Sequence, residues 1–311
     1  MGDPEIDRDR GREERLRALL DEERRALPEM SGLTRSLAAE LSRRAALIGC
    51  RVHCHGRLDR AMSEARSLVA RREAEGRHAY SGTVVVAREL TDGRGRMGRS
   101  WFGPPGGLYL ALLLAPELVL ERAGLYPLAA GVAACATLRE YLPDARLKWV
   151  NDVHVGGRKI CGLLAESFHS ARYQEEYLLL GLGLNANIAG FPPELAGLAT
   201  SLSLELQEDV DLDLLCARLL GRLGHYLALL HRYDQQCLEA ELSAKTPRNP
   251  ILDSFRALSD SVGRRVLYRM GDGDPGHEAT VTGLADDGGL MLEDAGEACH
   301  IAHGGEILYL D

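Results

Sequence analysis

The chain lacks any apolar run long enough to cross a membrane. Its strongest, "GGLYLALLLAP" (106–116), is far short of the ~20 residues a helical span needs. The segment "MGDPEIDRDRGREER" is charged throughout and has no apolar secretory core, so no leader is expected. Residues 3–7 make a poor acylation signal behind Gly2. Seven cysteines occur with no CxxC pair, which argues against a disulfide framework and for reduced thiols in a cytoplasm. No GK[ST] loop, no GxSxG elbow, no internal repeat and no low-complexity tract is present. Bases are outnumbered, 37 to 46, for a net charge of −9, so the molecule as a whole is not drawn to nucleic acid. Any anion site must be local.

What is present reads as a globular chain. Its 311 residues, 45% of them apolar, suffice for roughly two domains with a sizeable core. Residues 1–15 read as a solvated tail. Residues 12–46 carry helical spacing interrupted by "PEMSG", with a turn at Ser31-Gly32. A DNA-reading helix-turn-helix is the less favoured reading of this region; a helical extension over 1–48 is expected. Strands are expected at 51–55, 82–89, 106–116, 147–155, 158–167 and 177–187, with helices at 59–76, 126–142 and 211–240. Gly156-Gly157 reads as a two-residue hairpin turn. Closely spaced short runs over 264–311 suggest a small all-β unit. Mixed elements without βαβ alternation imply an α+β core over 49–255, followed by a β domain over 256–311.

Three stretches carry chemistry. "GRGRMGRSW" (93–101) interleaves glycines with arginines between two buried strands. Gly permits close backbone approach, and Arg offers a planar charged fork for carboxylate or phosphate. Arg stands where a dinucleotide helix would begin, and RNA-contacting RGG segments are longer, so an ordered anion-binding loop is the reading. In "KWVND" (148–152), Asp152 falls on Lys148's side of an expected strand, with Arg158 and Lys159 across the turn. "GLGLNAN" (181–187) places two glycines in a strand, a mark of close approach, and Asn185 and Asn187 on one face. His53 and His55 share a strand face but have no third ligand at zinc spacing, and Cys161 reads as a core residue.

Taken together and in order, "GRGRMGRSW", "KWVND", "GGRKICGLLAE" and "GLGLN" resemble the signature of the biotin protein ligases, over residues 50 to 205. The resemblance implies an α+β fold with a mixed sheet core of the biotin/lipoate ligase, class II synthetase-like type, and an SH3-like C-terminal barrel. It implies that biotin and Mg·ATP give biotinyl-5′-AMP, and that a lysine of a biotin carboxyl carrier protein then attacks it. Arg94 and Arg96 would meet the carboxylate and phosphate, with Arg99 supporting the loop and Gly93 and Gly95 hinging it. Trp101 would pack by the adenine, Lys159 would stabilise the adenylate, and Asp152 would orient or deprotonate the incoming lysine. Asn151 and Asn185 would make nucleotide-side contacts, and Lys148, Gly162 and Gly183 would complete the substrate and ATP site. A homodimer is compatible with the family.

Three stretches depart from the family pattern. Arg60, Ala61 and Met62 stand where Ser-Thr-Asn usually binds the ureido ring. Leu90 replaces a Gln, and Val150 replaces the Pro of KWPND. The resemblance therefore leaves two alternatives: a ligase for another acid, such as lipoyl or octanoyl, or a biotin-responsive transcriptional regulator. Metal ligands are not legible in the sequence.

Overall fold

The computed structural model describes residues 4–30, 35–240, 247–271, 273–296 and 298–310. Two helices come first, α1 (Pro4–Met30) and α2 (Arg35–Ala45), then strand β1 (Arg51–His55) and helix α3 (Ala61–Ala74). Next come β2 (Thr83–Ala87), β3 (Leu108–Leu114), helix α4 (Leu125–Leu138), β4 (Arg146–Lys148), β5 (Asp152–Val155), β6 (Arg158–His169) and β7 (Glu176–Leu184). Helices α5 (Leu202–Leu206), α6 (Leu212–Ala240) and α7 (Pro250–Leu258) follow. The chain closes on β8 (Arg265–Arg269), β9 (His277–Leu284), β10 (Leu290–Asp294), β11 (Cys299–Ala302) and β12 (Glu306–Tyr309).

The central sheet runs β1-β2-β3-β7-β6-β5-β4, parallel only between β1 and β2, which is the mixed sheet expected. Period-2 alternation sorts its side chains to two faces. Val84, Val86, Leu108, Leu110, Leu112, Leu180 and Leu182 join the large core with α4, α6 and α7. Val85, Ala111, Leu113, Tyr177 and Leu179 face the other way, onto Ala61, Ala65 and Val69 of α3. The sheet is thus covered on both sides, which is why its strands read as continuous apolar runs. A second, five-stranded sheet has the order β11-β10-β9-β8-β12 and every described pairing is antiparallel. No helix among the described residues is long and apolar enough to cross a membrane.

Two expectations are corrected. Helix α1 begins at Pro4, so residues 4–15 are not a tail. Ion pairs at helical spacing, Arg10–Glu14 and Arg17–Glu13, support it, and Leu16 and Leu20 are buried one turn apart. Glu13 accepts the backbone N–H of Cys54 at 3.1 Å, satisfying a donor on the outermost strand, and Arg15 pairs with Asp213 of α6 at 3.0 Å. The second correction concerns 147–155, which is two strands: the chain reverses at 149–151, so Lys148 and Asp152 are direct cross-strand partners. The run had no Gly or Asn-Gly to signal that reversal. By contrast Gly156 and Gly157 both take positive φ (55° and 78°), as their hairpin turn requires. The expected Ser31-Gly32 turn lies outside the described residues.

Because Leu20 is almost fully buried (1% exposed), Leu20→Ala should cost about 2–5 kcal/mol. Urea unfolding measures this; a loss under about 1 kcal/mol would mean that α1 is not part of the cooperative fold.

Candidate functional site

The site begins with missing side chains. On the α3-facing side of the central sheet, Tyr109, Gly183 and Gly162 form one cross-strand row and Ala111, Gly181 and Leu164 the next. Beyond the part covered by α3, the sheet is therefore nearly bare. Trp101 lies on the Gly162–Gly183 pair: a Cβ on Gly183 would come within 2.5 Å of the indole, and one on Gly162 within 2.8 Å. Met62 occupies Gly181 in the same way, 2.6 Å from where a Cβ would stand. A cavity of about 350 Å³ opens over this floor.

The Gly-Arg stretch forms the roof. It is a small hairpin in which Trp101 N–H donates to Gly93 O (2.9 Å) and Gly95 N–H to Arg99 O (2.8 Å), with Arg94 facing Ser100. Its tip is one 3-10 turn at Arg96–Gly98, and Met97 and Gly98 take positive φ there. Gly93 has a close-packing role: its added Cβ would meet Trp101 O at 2.6 Å. Each arginine is anchored. Arg94 pairs with Asp92 (2.9 Å), Arg96 donates to Asn151 Oδ1 (3.3 Å), and Arg99 pairs with Glu306 (2.5 Å).

The β4–β5–β6 ladder supplies the wall. Lys159 Nζ lies 2.7 Å from Asp152 Oδ1 and 5.5 Å from the Trp101 ring centre, within cation–π range. Burial pushes the Asp152 carboxyl up, but the Lys159 ammonium 2.7 Å away, with His154 nearby, outweighs it and brings it down to about 2. Asp152 therefore stays ionised throughout the neutral and mildly acidic range. Burial lowers the Lys148 ammonium below the usual lysine range, against the opposing pull of Asp152 and Glu306. Asn151 is fixed by backbone and side-chain hydrogen bonds to Leu163, and from there it holds Arg96. The last wall comes from the second sheet, where Gly305, Glu306 and Ile307 line the cavity.

Seven cationic side chains line the cavity against three carboxylates, on a chain whose net charge is −9. Arg60, Ala61, Leu90, Arg94, Gly95, Arg96, Arg99, Trp101, Lys148, Asn151, Asp152, Lys159, Gly162 and Gly183 all line it. Gly93 and Asn185 do not. Strand β7 ends at Leu184, so Asn185 and Asn187 project from no strand face. The Asn185 amide donates to Thr200 O (3.0 Å), and Asn187 is paired with the backbone of Val210. At the other end, Arg60 is locked to Asp92, and Leu90 N–H donates to Gly103 O at 2.7 Å, holding the base of the hairpin. Glu306, Met62, Arg66 and Glu166 also border the cavity; sequence reasoning assigned Glu306, Arg66 and Glu166 no role. No local pattern announces Glu306, whose partner Arg99 is distant in sequence.

Residues 65–185 match the Biotin/lipoate A/B protein ligase family. The chain is 31% identical over 241 residues to a biotin--[acetyl-CoA-carboxylase] ligase of Mycobacterium tuberculosis, covering 74% of this chain and 79% of that one. It is 30% identical over 225 residues to a bifunctional ligase/repressor BirA of Bacillus subtilis; the match covers 71% of this chain but only 64% of the Bacillus protein. Among solved structures, the biotin protein ligase from Aquifex aeolicus in complex with biotin and ATP superposes with a TM-score of 0.63 at 24% identity, covering 83% of this chain and 98% of that one. That likeness shows the fold.

Gly183→Val should expel the indole from the floor. In a Trp149→Phe background, where Trp101 is the one remaining tryptophan, its emission should shift to the red and become quenchable by acrylamide. An unchanged spectrum would place the indole elsewhere.

Proposed function

The chain belongs to the biotin/lipoate A/B protein ligase family, and from that premise we propose that it is a cytoplasmic ligase joining biotin, through biotinyl-5′-AMP, to a lysine of a biotin carboxyl carrier protein. The observation that carries the reading is the clustering of Arg94, Arg96, Arg99, Lys148 and Lys159 around one glycine-floored cavity. Adenylation brings a carboxylate against a triphosphate, and like charges approach only where fixed cations neutralise them. Mg2+ enters as the counter-ion of ATP and so as part of the substrate. Trp101, flat on its glycine pair, offers a face for a purine ring.

Lys159 suits a role at the acyl oxygen and α-phosphate, because Asp152 aims it from 2.7 Å. A carboxyl titrating at about 2 is a weak base, so in this mechanism Asp152 does not deprotonate the carrier lysine. It holds Lys159 and attracts the incoming amine, which loses its proton to solvent before attack. Asn151 works as a positioning residue through Arg96. A second reading, activation of a different carboxylic acid, is favoured by one observation. At the end bordered by Arg60, Ala61, Met62 and Leu90, the side chains offer few free hydrogen-bonding groups, since the Arg60 guanidinium is held by Asp92.

ATP–pyrophosphate exchange with biotin, lipoate, octanoate or no acid tests both readings. Stimulation by biotin alone is expected; stimulation by another acid moves the substrate and keeps the mechanism. Lys159→Ala should lower exchange about 10²–10³-fold. Asp152→Asn should lower the transfer step with its pH dependence unchanged, whereas loss of an acid limb near neutrality would make Asp152 the base after all.

A further inference from the structure

On one face of the second sheet, three metal-ligating side chains from three strands converge. His277 opens β9, Asp294 closes β10 and His300 lies on β11. Asp294 pairs with Ala279 and His300 with Leu292, so all three share the sheet face that carries the buried Ala279 and Leu292. They cap the open end of that small core. The two ring Nε2 atoms stand 3.3 Å apart, and Asp294 Oδ1 is 3.5 Å from His277 Nε2 and 3.8 Å from His300 Nδ1. One ligand atom from each residue falls within 4.8 Å of the others.

Protein contacts alone leave this cluster unsatisfied. Asp294 Oδ1 is buried and accepts no hydrogen bond, and its distances to both imidazoles are longer than an N–H···O bond allows. A buried carboxylate oxygen without a partner is costly. A cation between the three residues would satisfy it. Ligands held about 2.0–2.2 Å from a tetrahedral zinc ion stand roughly 3.3–3.5 Å from one another; the spacings from His277 Nε2 to His300 Nε2 and to Asp294 Oδ1 match this, and the Asp294–His300 pair stands somewhat wider. Two imidazoles and one carboxylate suit a borderline ion; calcium and magnesium prefer sets made of oxygen.

We propose that His277, Asp294 and His300 form a zinc site that pins the ends of β9, β10 and β11, with water as a fourth ligand. It borders the ligase cavity indirectly. The His277 ring packs edge-on to Tyr268 at 5.4 Å, and the Tyr268 hydroxyl donates to Gly304 O at 3.0 Å, next to the cavity-lining Gly305 and Glu306. The site thus braces the strand that carries one cavity wall.

Untagged full-length protein, stripped with chelator, tests this by calorimetric titration with Zn2+. One ion per chain should bind, with a rise in melting temperature and no competition from Ca2+. His277→Ala and the near-isosteric Asp294→Asn should each weaken binding by about tenfold or more, with circular dichroism confirming the fold. A Cys50→Ser/Cys299→Ser variant should bind as the parent does, since both thiols are exposed and offer a rival soft site. Absence of 1:1 binding, or binding lost with the thiols and kept in Asp294→Asn, would overturn the site.

Discussion

The rest of the structure depends on a patch of sheet with no side chains. Gly162, Gly181 and Gly183 sit in adjacent strands on one face, where ordinary residues would meet α3 or close the surface. Glycine in a strand interior costs stability, and the seven-stranded frame with its two-sided core supplies it. What the cost secures is depth. The indole of Trp101 lies against backbone, and the Gly-Arg hairpin that ends in Trp101 is drawn down over the floor. Lys159 stands over that ring, 5.5 Å from its centre.

Electrostatics then divide the cavity. One end concentrates cations held by few carboxylates, Asp152 for Lys159 and Glu306 for Arg99, while Asp92 is shared between Arg94 and Arg60 where the two ends meet. These carboxylates hold the bases in place without cancelling them, because the bases outnumber the acids. The opposite end, near Arg60, Ala61, Met62 and Leu90, has its charge tied up internally. A chain that is acidic overall thereby keeps a local attraction for anions, short-ranged at physiological salt.

Much of this was legible in the sequence, for identifiable reasons. Gly-Arg interleaving, the Gly156-Gly157 turn and the paired glycines of "GLGLN" each express a backbone demand that few residue types meet, so local text carried them. Fourteen of the sixteen site residues expected line the cavity. Of the two that do not, Asn185 fails because strand β7 stops one residue early, which removes the face it was assigned to, and Gly93 is packed against the Trp101 backbone instead. The docking of α1 was hidden because its first turns are almost wholly charged and its contacts with the core come from the single cluster Leu16, Leu19 and Leu20. Glu306 was illegible for a different reason: its role exists only through a contact between distant elements, and such contacts leave no spacing to read.

The Arg99–Glu306 contact has a consequence in time. The roof is encoded early in the chain and its supporting wall roughly two hundred peptide bonds later, while domains fold from the N-terminal side during synthesis. The seven-stranded body can assemble with its cations gathered before that wall exists. Between those moments the nascent protein carries a cationic cleft that lacks the wall formed by Gly305, Glu306 and Ile307. The cavity is therefore completed only when β12 folds against the hairpin.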